Sequence, residues 1–188
     1  APTTITAVEP PLDLRSDIAD EVALRLRSFR GFRVAPAEDY LQAREVLLAN
    51  ADCQLSLAAP RSGTGDYFYK NADADELIFV HEGAGIVMTP YGNLPFSYGD
   101  YLVIPRGTIY QIGFEGTTNR LLVLESFGGL RLPHKYLSPS GQLLEHAPYC
   151  ERDIRRPATR QTMDARGDFR ILVKKQGYLC PIDYAYHP

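Results

Sequence analysis

Four histidines and three cysteines are the side chains of this 188-residue chain best suited to hold a metal or act as nucleophiles, and their spacing limits what they can do. Cys53, Cys150 and Cys180 lie far apart and are odd in number, so they form neither a C-x-x-C zinc or redox motif nor a disulfide framework. Reduced thiols of a cytoplasmic protein are the expectation. His81, His134, His146 and His187 show no H-x-H or H-x3-H spacing, and each is expected to be a solvated or hydrogen-bonded structural histidine. His81 follows Glu76 by five residues, an odd separation that puts the two side chains on opposite faces of a strand, where they cannot share an ion unless a bulge intervenes. Arg152, Arg155, Arg156 and Arg160 are interleaved with Glu151 and Asp153. A solvated loop is the default reading, and bidentate pairing across an interface is the alternative. Both place the group at the surface.

The elements that must carry these residues are mostly strands. Cys53, Leu55 and Leu57 alternate with polar neighbours, and strands are predicted over 66–70, 76–81, 85–89, 101–104, 109–114 and 120–125. Turn signals separate them, among them Glu82-Gly83, Tyr91-Gly92-Asn93, Tyr98-Gly99-Asp100 and Glu115-Gly116. Many short strands at near-regular spacing imply an antiparallel sandwich or barrel. The segment 38–49 reads as helix by composition or as strand by its Val46-Leu47-Leu48 run, and periodicity alone does not choose. Residues 1–15 carry the Pro10-Pro11 pair and are predicted to be an extended arm. Ile18, Val22, Leu26 and Phe29 then mark one face of a short helix that stops at Gly31. A last β pair is predicted near 169–173 and 178–180. The chain divides into an arm and short helix over 1–31 and one β domain with a carboxy-terminal extension over 32–188.

Composition narrows the partners. With 45% hydrophobic and 23% charged residues the chain can bury an ordinary core, and a domain of this size needs no metal or disulfide as a staple. A net charge of -3 offers no bulk attraction to phosphate backbones or anionic lipid, so neither nucleic acid nor membrane is expected. Apolar runs such as Leu121 to Leu124 fall far short of a bilayer span, and no signal pattern opens the chain, so a soluble cytoplasmic protein is expected.

One spacing is sharper than the rest. Glu76 is followed after six residues by Gly83; Gly99 is followed after five by Pro105-Arg106-Gly107 and, two residues later, by Tyr110. This resembles the two motifs of the cupin superfamily, G-x5-H-x-H-x3-4-E-x6-G and G-x5-P-x-G-x2-H-x3-N. The glycines and the proline shape the tight turns that let a small barrel close. The resemblance implies a mainly β, cupin-type antiparallel barrel of jelly-roll kind. It also locates the metal positions, and there the chain departs from the pattern. Tyr69 and Asn71 stand where the first motif has histidines, and Tyr110 stands where the second has one, so only the carboxylate of Glu76 remains. Phenols and an amide cannot replace imidazoles toward non-haem Fe(II), and no metal is expected in this chain. Tyr69, Asn71, Glu76 and Tyr110 either fill the barrel interior, where Glu76 needs a partner or a raised pKa, or line a small pocket for an aromatic diol.

The wording narrows the resemblance further. KNADADELIFVHEGAG (Lys70 to Gly85), GDYLVIPRG (Gly99 to Gly107), GQLLEHAPYCERDIRRP (Gly141 to Pro157) and the closing Tyr186-His187-Pro188 are similar to the amino-terminal half of the homogentisate 1,2-dioxygenase family. That family implies iron ligands in its other half, so no catalytic residue is assigned to this chain. Two arrangements fit: a piece of a single-chain enzyme, or an iron-free small subunit like those of the two-subunit hydroquinone 1,2-dioxygenases. The second is the preferred expectation. It implies a larger iron-binding cupin partner, two copies of each chain, Fe(II) as the partner's cofactor and an aromatic para-diol as substrate. Partner contacts are then expected at Arg152, Arg155, Arg156, Tyr184, Tyr186 and His187. The competing class is a non-enzymatic cupin that binds a small molecule and needs no partner.

Overall fold

The computed structural model describes residues 5–7, 12–15, 26, 28–157 and 163–188. The helix expected between Ser16 and Gly31 falls largely outside them. Where the chain is described again, residues 28–30 are irregular and Gly31–Arg33 form a single 3-10 turn, so Gly31 opens a turn instead of ending a helix.

Two sheets face each other. The smaller contains β3 (Arg44–Ala49), β4 (Cys53–Ala58), β6 (Asp75–Glu82), β9 (Tyr101–Ile104) and β11 (Arg120–Ser126), in the order β3-β4-β11-β6-β9. The larger contains β1 (Ile5–Ala7), β5 (Tyr67–Asn71), β7 (Gly85–Thr89), β8 (Gly92–Phe96), β10 (Ile109–Phe114), β12 (Arg166–Lys175) and β13 (Tyr178–Tyr186). Its order is β1-β13-β12-β5-β10-β7-β8, with β2 (Leu12–Asp13) also on β13. The ambiguous segment 38–49 thus divides: a turn over 39–43 leads into a strand. Asp39 organises that turn, its Oδ1 accepting from the backbone N–H groups of Leu41 at 2.8 Å and Gln42 at 3.1 Å.

Period-2 alternation sorts the side chains. Ile78 and Val80 of β6, Leu121 and Val123 of β11 and Ile112 of β10 point inward and are buried together with Leu102, Ile104 and Val87. Three features differ from the expectation. The stretch around Gly92 holds a strand as well as a turn signal, because Pro95 sits on β8, an edge strand where no ladder N–H is missed. Among the described strands one pairing is parallel, β12 on β5, with Leu172 beside Tyr69 and Lys174 beside Asn71. The last strand runs to Tyr186 instead of ending near Cys180, and it accounts for the aromatic tail: Tyr184 pairs with Phe169 on one side and Ile5 on the other. Of the arm, the described residues 5–7 and 12–13 form β1 and β2 and pair with β13.

Two motif glycines differ in what they hold. Gly83 has φ +106° and a Cβ there would lie 2.1 Å from Oδ1 of Asn119. That amide is fixed, since its Nδ2 donates to the carbonyls of Pro60 at 3.0 Å and Gly116 at 2.9 Å. Gly99 has φ +87° but nothing within 4 Å of its would-be Cβ. Gly83→Ala should therefore cost about 3 kcal/mol in urea denaturation, combining clash and strain, whereas Gly99→Ala should cost only about 1 kcal/mol. Equal losses would show that the turn at Gly83 relaxes freely.

Candidate functional site

The four residues singled out from the motif spacing point into the space between the sheets. Tyr69 and Tyr110 face each other across β5 and β10, with ring centroids 5.5 Å apart at 85°. Glu76 comes from β6 in the opposite sheet. The fourth, Asn71, turns aside. Its Oδ1 accepts from the N–H groups of Asp73 and Ala74, closing the turn after β5, and its Nδ2 donates to Oε2 of Glu125 at 2.8 Å.

Burial of these residues is nearly complete: Tyr69 is 1% exposed, Asn71 3%, and Glu76 and Tyr110 0%. No face of any of the four is open to a substrate in this structure. Two surface cavities of about 600 and 640 Å³ lie elsewhere, one lined by Phe29–Val34 with the outer side of the small sheet, the other by Phe68, Met88 and His187 on the large one.

Three further charged residues and a tyrosine complete the cluster, and spacing did not reveal them. Arg44, at the start of β3, donates from Nη1 to Oε1 of Glu76 at 2.7 Å and from Nη2 to the Tyr40 hydroxyl at 2.5 Å. Its guanidinium carbon stands 4.5 Å from the Tyr40 ring centre and 5.4 Å from that of Tyr69. The Tyr110 hydroxyl donates to Oε2 of Glu76 at 2.8 Å. Glu125 of β11 lies 3.5 Å from Nη1 of Arg44, and Lys174 of β12 donates to its Oε2. Two cations and two carboxylates balance in number. The Nε–H of Arg44 finds no acceptor among the described residues.

Electrostatics follow from this closure. Burial, with Glu76 adding to it, holds the Tyr69 and Tyr110 phenols well above their ordinary range, and burial takes Tyr40 up to about 12. All three stay neutral. Burial pushes the Glu125 carboxyl up, but Lys174 and Arg44 outweigh it and hold the group below its ordinary value of 4.5. Desolvation works against the Arg44 charge too, and the oxygens of Tyr40 and Glu76 more than compensate.

The fit to a metal can now be judged from the donors. The carboxylate left from the motif is occupied by a guanidinium on one oxygen and a phenol on the other, and the remaining donors are protonated phenols and an amide already engaged. These residues do not fit Fe(II), which needs imidazole or carboxylate lone pairs with open positions. No group of three potential ligands among His, Cys, Asp and Glu occurs among the described residues. His81, as the odd spacing requires, points away from Glu76 to the outer side of β6, with its ring centroid 5.2 Å from that of Phe32. The three cysteines are free thiols.

The expected interface residues are placed as follows. Arg152, Arg155 and Arg156 are exposed, and Arg155 is paired with Asp100 at 2.6 Å; Arg160 lies outside the described residues. Tyr186 accepts from Arg166 at 2.9 and 2.6 Å, and His187 packs edge-on against Phe68 and Phe169. No helix among the described residues is long and apolar enough to cross a membrane.

Comparison with known proteins gives the family. Residues 40–188 match the family described as homogentisate 1,2-dioxygenase N-terminal, and the chain belongs to it. It is 31% identical over 156 residues to a Saccharolobus solfataricus protein that carries a provisional dioxygenase name, covering 83% of this chain and 40% of that protein. The chain thus spans well under half the length of that curated relative. Among solved structures it resembles a cupin-2 domain protein of Shewanella frigidimarina at 22% identity and TM-score 0.38, over 44% of this chain and 78% of that one. It also resembles protein NMB1881 of Neisseria meningitidis at 18% identity and TM-score 0.43, over 53% and 99%. The fold is mainly β, in two facing sheets, and the chain is related to dioxygenases.

Two outcomes test the cluster. Arg44→Met should destabilise the fold by about 3–5 kcal/mol, because Glu76 loses its cation while still buried. Adding Glu76→Gln should recover part of that loss, a coupling that a double-mutant cycle in urea measures. The lowered pKa of Glu125 sets a pH dependence. Its stabilisation is complete above the unfolded value near 4.5 and disappears as pH falls through the lower folded value. Lys174→Met should move that acid loss to higher pH, as melting temperature against pH will show; an unchanged profile would remove Lys174 from the cluster's energetics.

Proposed function

We propose that this member of the homogentisate 1,2-dioxygenase N-terminal family is a catalytically silent cupin component of an Fe(II)-dependent ring-cleaving dioxygenase. The iron sits in a larger cupin partner, and the substrate is an aromatic para-diol, hydroquinone being the leading candidate. The observation that carries the reading is the Arg44 guanidinium resting on Glu76. A barrel whose motif carboxylate is neutralised by an internal arginine is a scaffold and not a metal centre, and chemistry in such an enzyme has to come from another polypeptide segment. Iron bound there would supply joint binding of diol and O2, bringing both within reaction distance.

This chain's residues act on that chemistry by holding shape. The Tyr40, Arg44, Tyr69, Glu76 and Tyr110 network fixes the two sheets relative to each other, so a loop or face presented to the partner keeps its geometry. Arg152 and Arg156 are exposed and able to pair with a partner's carboxylates. One finding favours a second arrangement, with the same component fused to its catalytic half as in single-chain homogentisate dioxygenases: the match takes up 40% of the longer Saccharolobus solfataricus protein.

Anaerobic loading with Fe(II) followed by gel filtration and elemental analysis should leave far less than one iron per chain. Co-expression with an iron-binding cupin polypeptide of a ring-cleaving dioxygenase should give a stable assembly, with two copies of each chain, that cleaves hydroquinone and loses activity with a chelator. Stoichiometric iron in the isolated chain would overturn the scaffold reading. A lone monomer that never associates would replace it with that of an independent small-molecule binder.

A further inference from the structure

A sheet with one side in the core normally turns polar side chains to the other. The small sheet does not. Its outward positions hold Leu57 of β4, Phe79 of β6 and Leu122 of β11 across the middle. The two edge strands add Leu48 of β3, 52% exposed, and Tyr101 and Val103 of β9, at 65% and 54%. Five strands at a spacing of about 4.8 Å make a face about 20 Å across, the scale of a protein contact and much wider than a small ligand. An apolar face of this extent on a soluble domain marks a docking surface.

The charge around it specifies the occupant. The turn at residues 29–33 stands over one side of the face and forms with it a groove of about 600 Å³. The groove's walls carry Arg30, Arg33 and Arg120, the adjoining hollow that Arg30 and Arg33 also line adds Glu45 of β3 as its one carboxylate, and the apolar lip is Phe32, 70% exposed beside His81. Arg120 is anchored by donating to the Val34 carbonyl at 2.7 Å; Arg30 and Arg33 make no ion pair among the described residues. A second copy docked by a two-fold axis would bring the same three arginines against one glutamate to the contact, so cations would mainly face cations.

We propose that this face is where the chain docks the iron-bearing portion of the dioxygenase, through a surface on that portion that is apolar at its centre and acidic at its edge. The inference rests on the function proposed above and adds the surface that function needs. It puts the main contact on the outer side of β4, β6, β9 and β11, on the opposite side of that sheet from the buried ionic cluster.

The test uses three exposed positions that lie outside the cluster: Phe32→Asp, Val103→Glu and Arg33→Glu. Each variant is co-expressed with the iron-binding cupin polypeptide, association is measured by light scattering and titration calorimetry, and the melting temperature of the chain is recorded beside it. Phe32→Asp and Val103→Glu should weaken association at least tenfold with little change in melting temperature. Arg33→Glu should weaken it too and flatten its dependence on salt. If the wild-type chain associates and all three variants bind equally well, the partner uses another face and the docking inference fails while the proposed function stands. If the wild-type chain does not associate at all, the proposed function itself fails. A dimer of the chain alone that Phe32→Asp dissolves would overturn the choice of occupant.

Discussion

Glu76 and Glu125 stand directly opposite each other on β6 and β11, both facing the interior. Like charges in that position repel, and in a low-dielectric core the repulsion is far stronger than in water. Each neighbour in the cluster answers this constraint. Arg44 lies between the two carboxylates, Lys174 and Asn71 take the far side of Glu125, and Tyr110 takes the second oxygen of Glu76. Because Arg44, Glu76 and Glu125 belong to the small sheet while Tyr110, Asn71 and Lys174 belong to the large one, satisfying the carboxylates ties the two sheets together.

The same arrangement fixes register. A one-residue slip of β11 against β6 would turn Glu125 outward and Leu124 inward, leaving Lys174 and Asn71 without their acceptor. A purely aliphatic interior would tolerate such a slip more easily, since leucine and valine exchange places at lower cost than a paired carboxylate. Buried ion pairs add little net stability over apolar packing, so what this cluster contributes above all is uniqueness of the pairing.

It also sets the division of labour proposed for the assembly. In a metal-binding barrel the inward carboxylate and imidazoles keep lone pairs for an ion and a position open for substrate. Here an internal guanidinium takes the place of an external cation, and the aromatic rings of Tyr40, Tyr69 and Tyr110 close around it. The interior is spent on architecture, which leaves recognition to the surface, and there the apolar outer side of the small sheet is the largest departure from an ordinary solvated domain.

Much of the scaffold was legible in the chain itself. Strands 85–89, 101–104 and 109–114 coincide with β7, β9 and β10, because alternation and glycine turns are local signals that short antiparallel strands obey. The family pattern located Tyr69, Glu76 and Tyr110, and the odd spacing of Glu76 and His81 sufficed to separate them, since strand geometry admits no other outcome without a bulge. Glu125 left a fainter trace: it is a charge in the inward phase of Leu121 and Val123, which a strict reading of alternation could have flagged. Arg44, Tyr40 and Lys174 left none. Arg44 sits 32 residues from Glu76 in a segment whose periodicity fitted helix and strand alike, and Lys174 reaches Glu125 through a parallel pairing that no local pattern announces. Sequence determined most of the central strands and the inward phase of their apolar residues, because those depend on neighbours two positions away; tertiary structure alone decided which charges meet, because that depends on how distant strands pair.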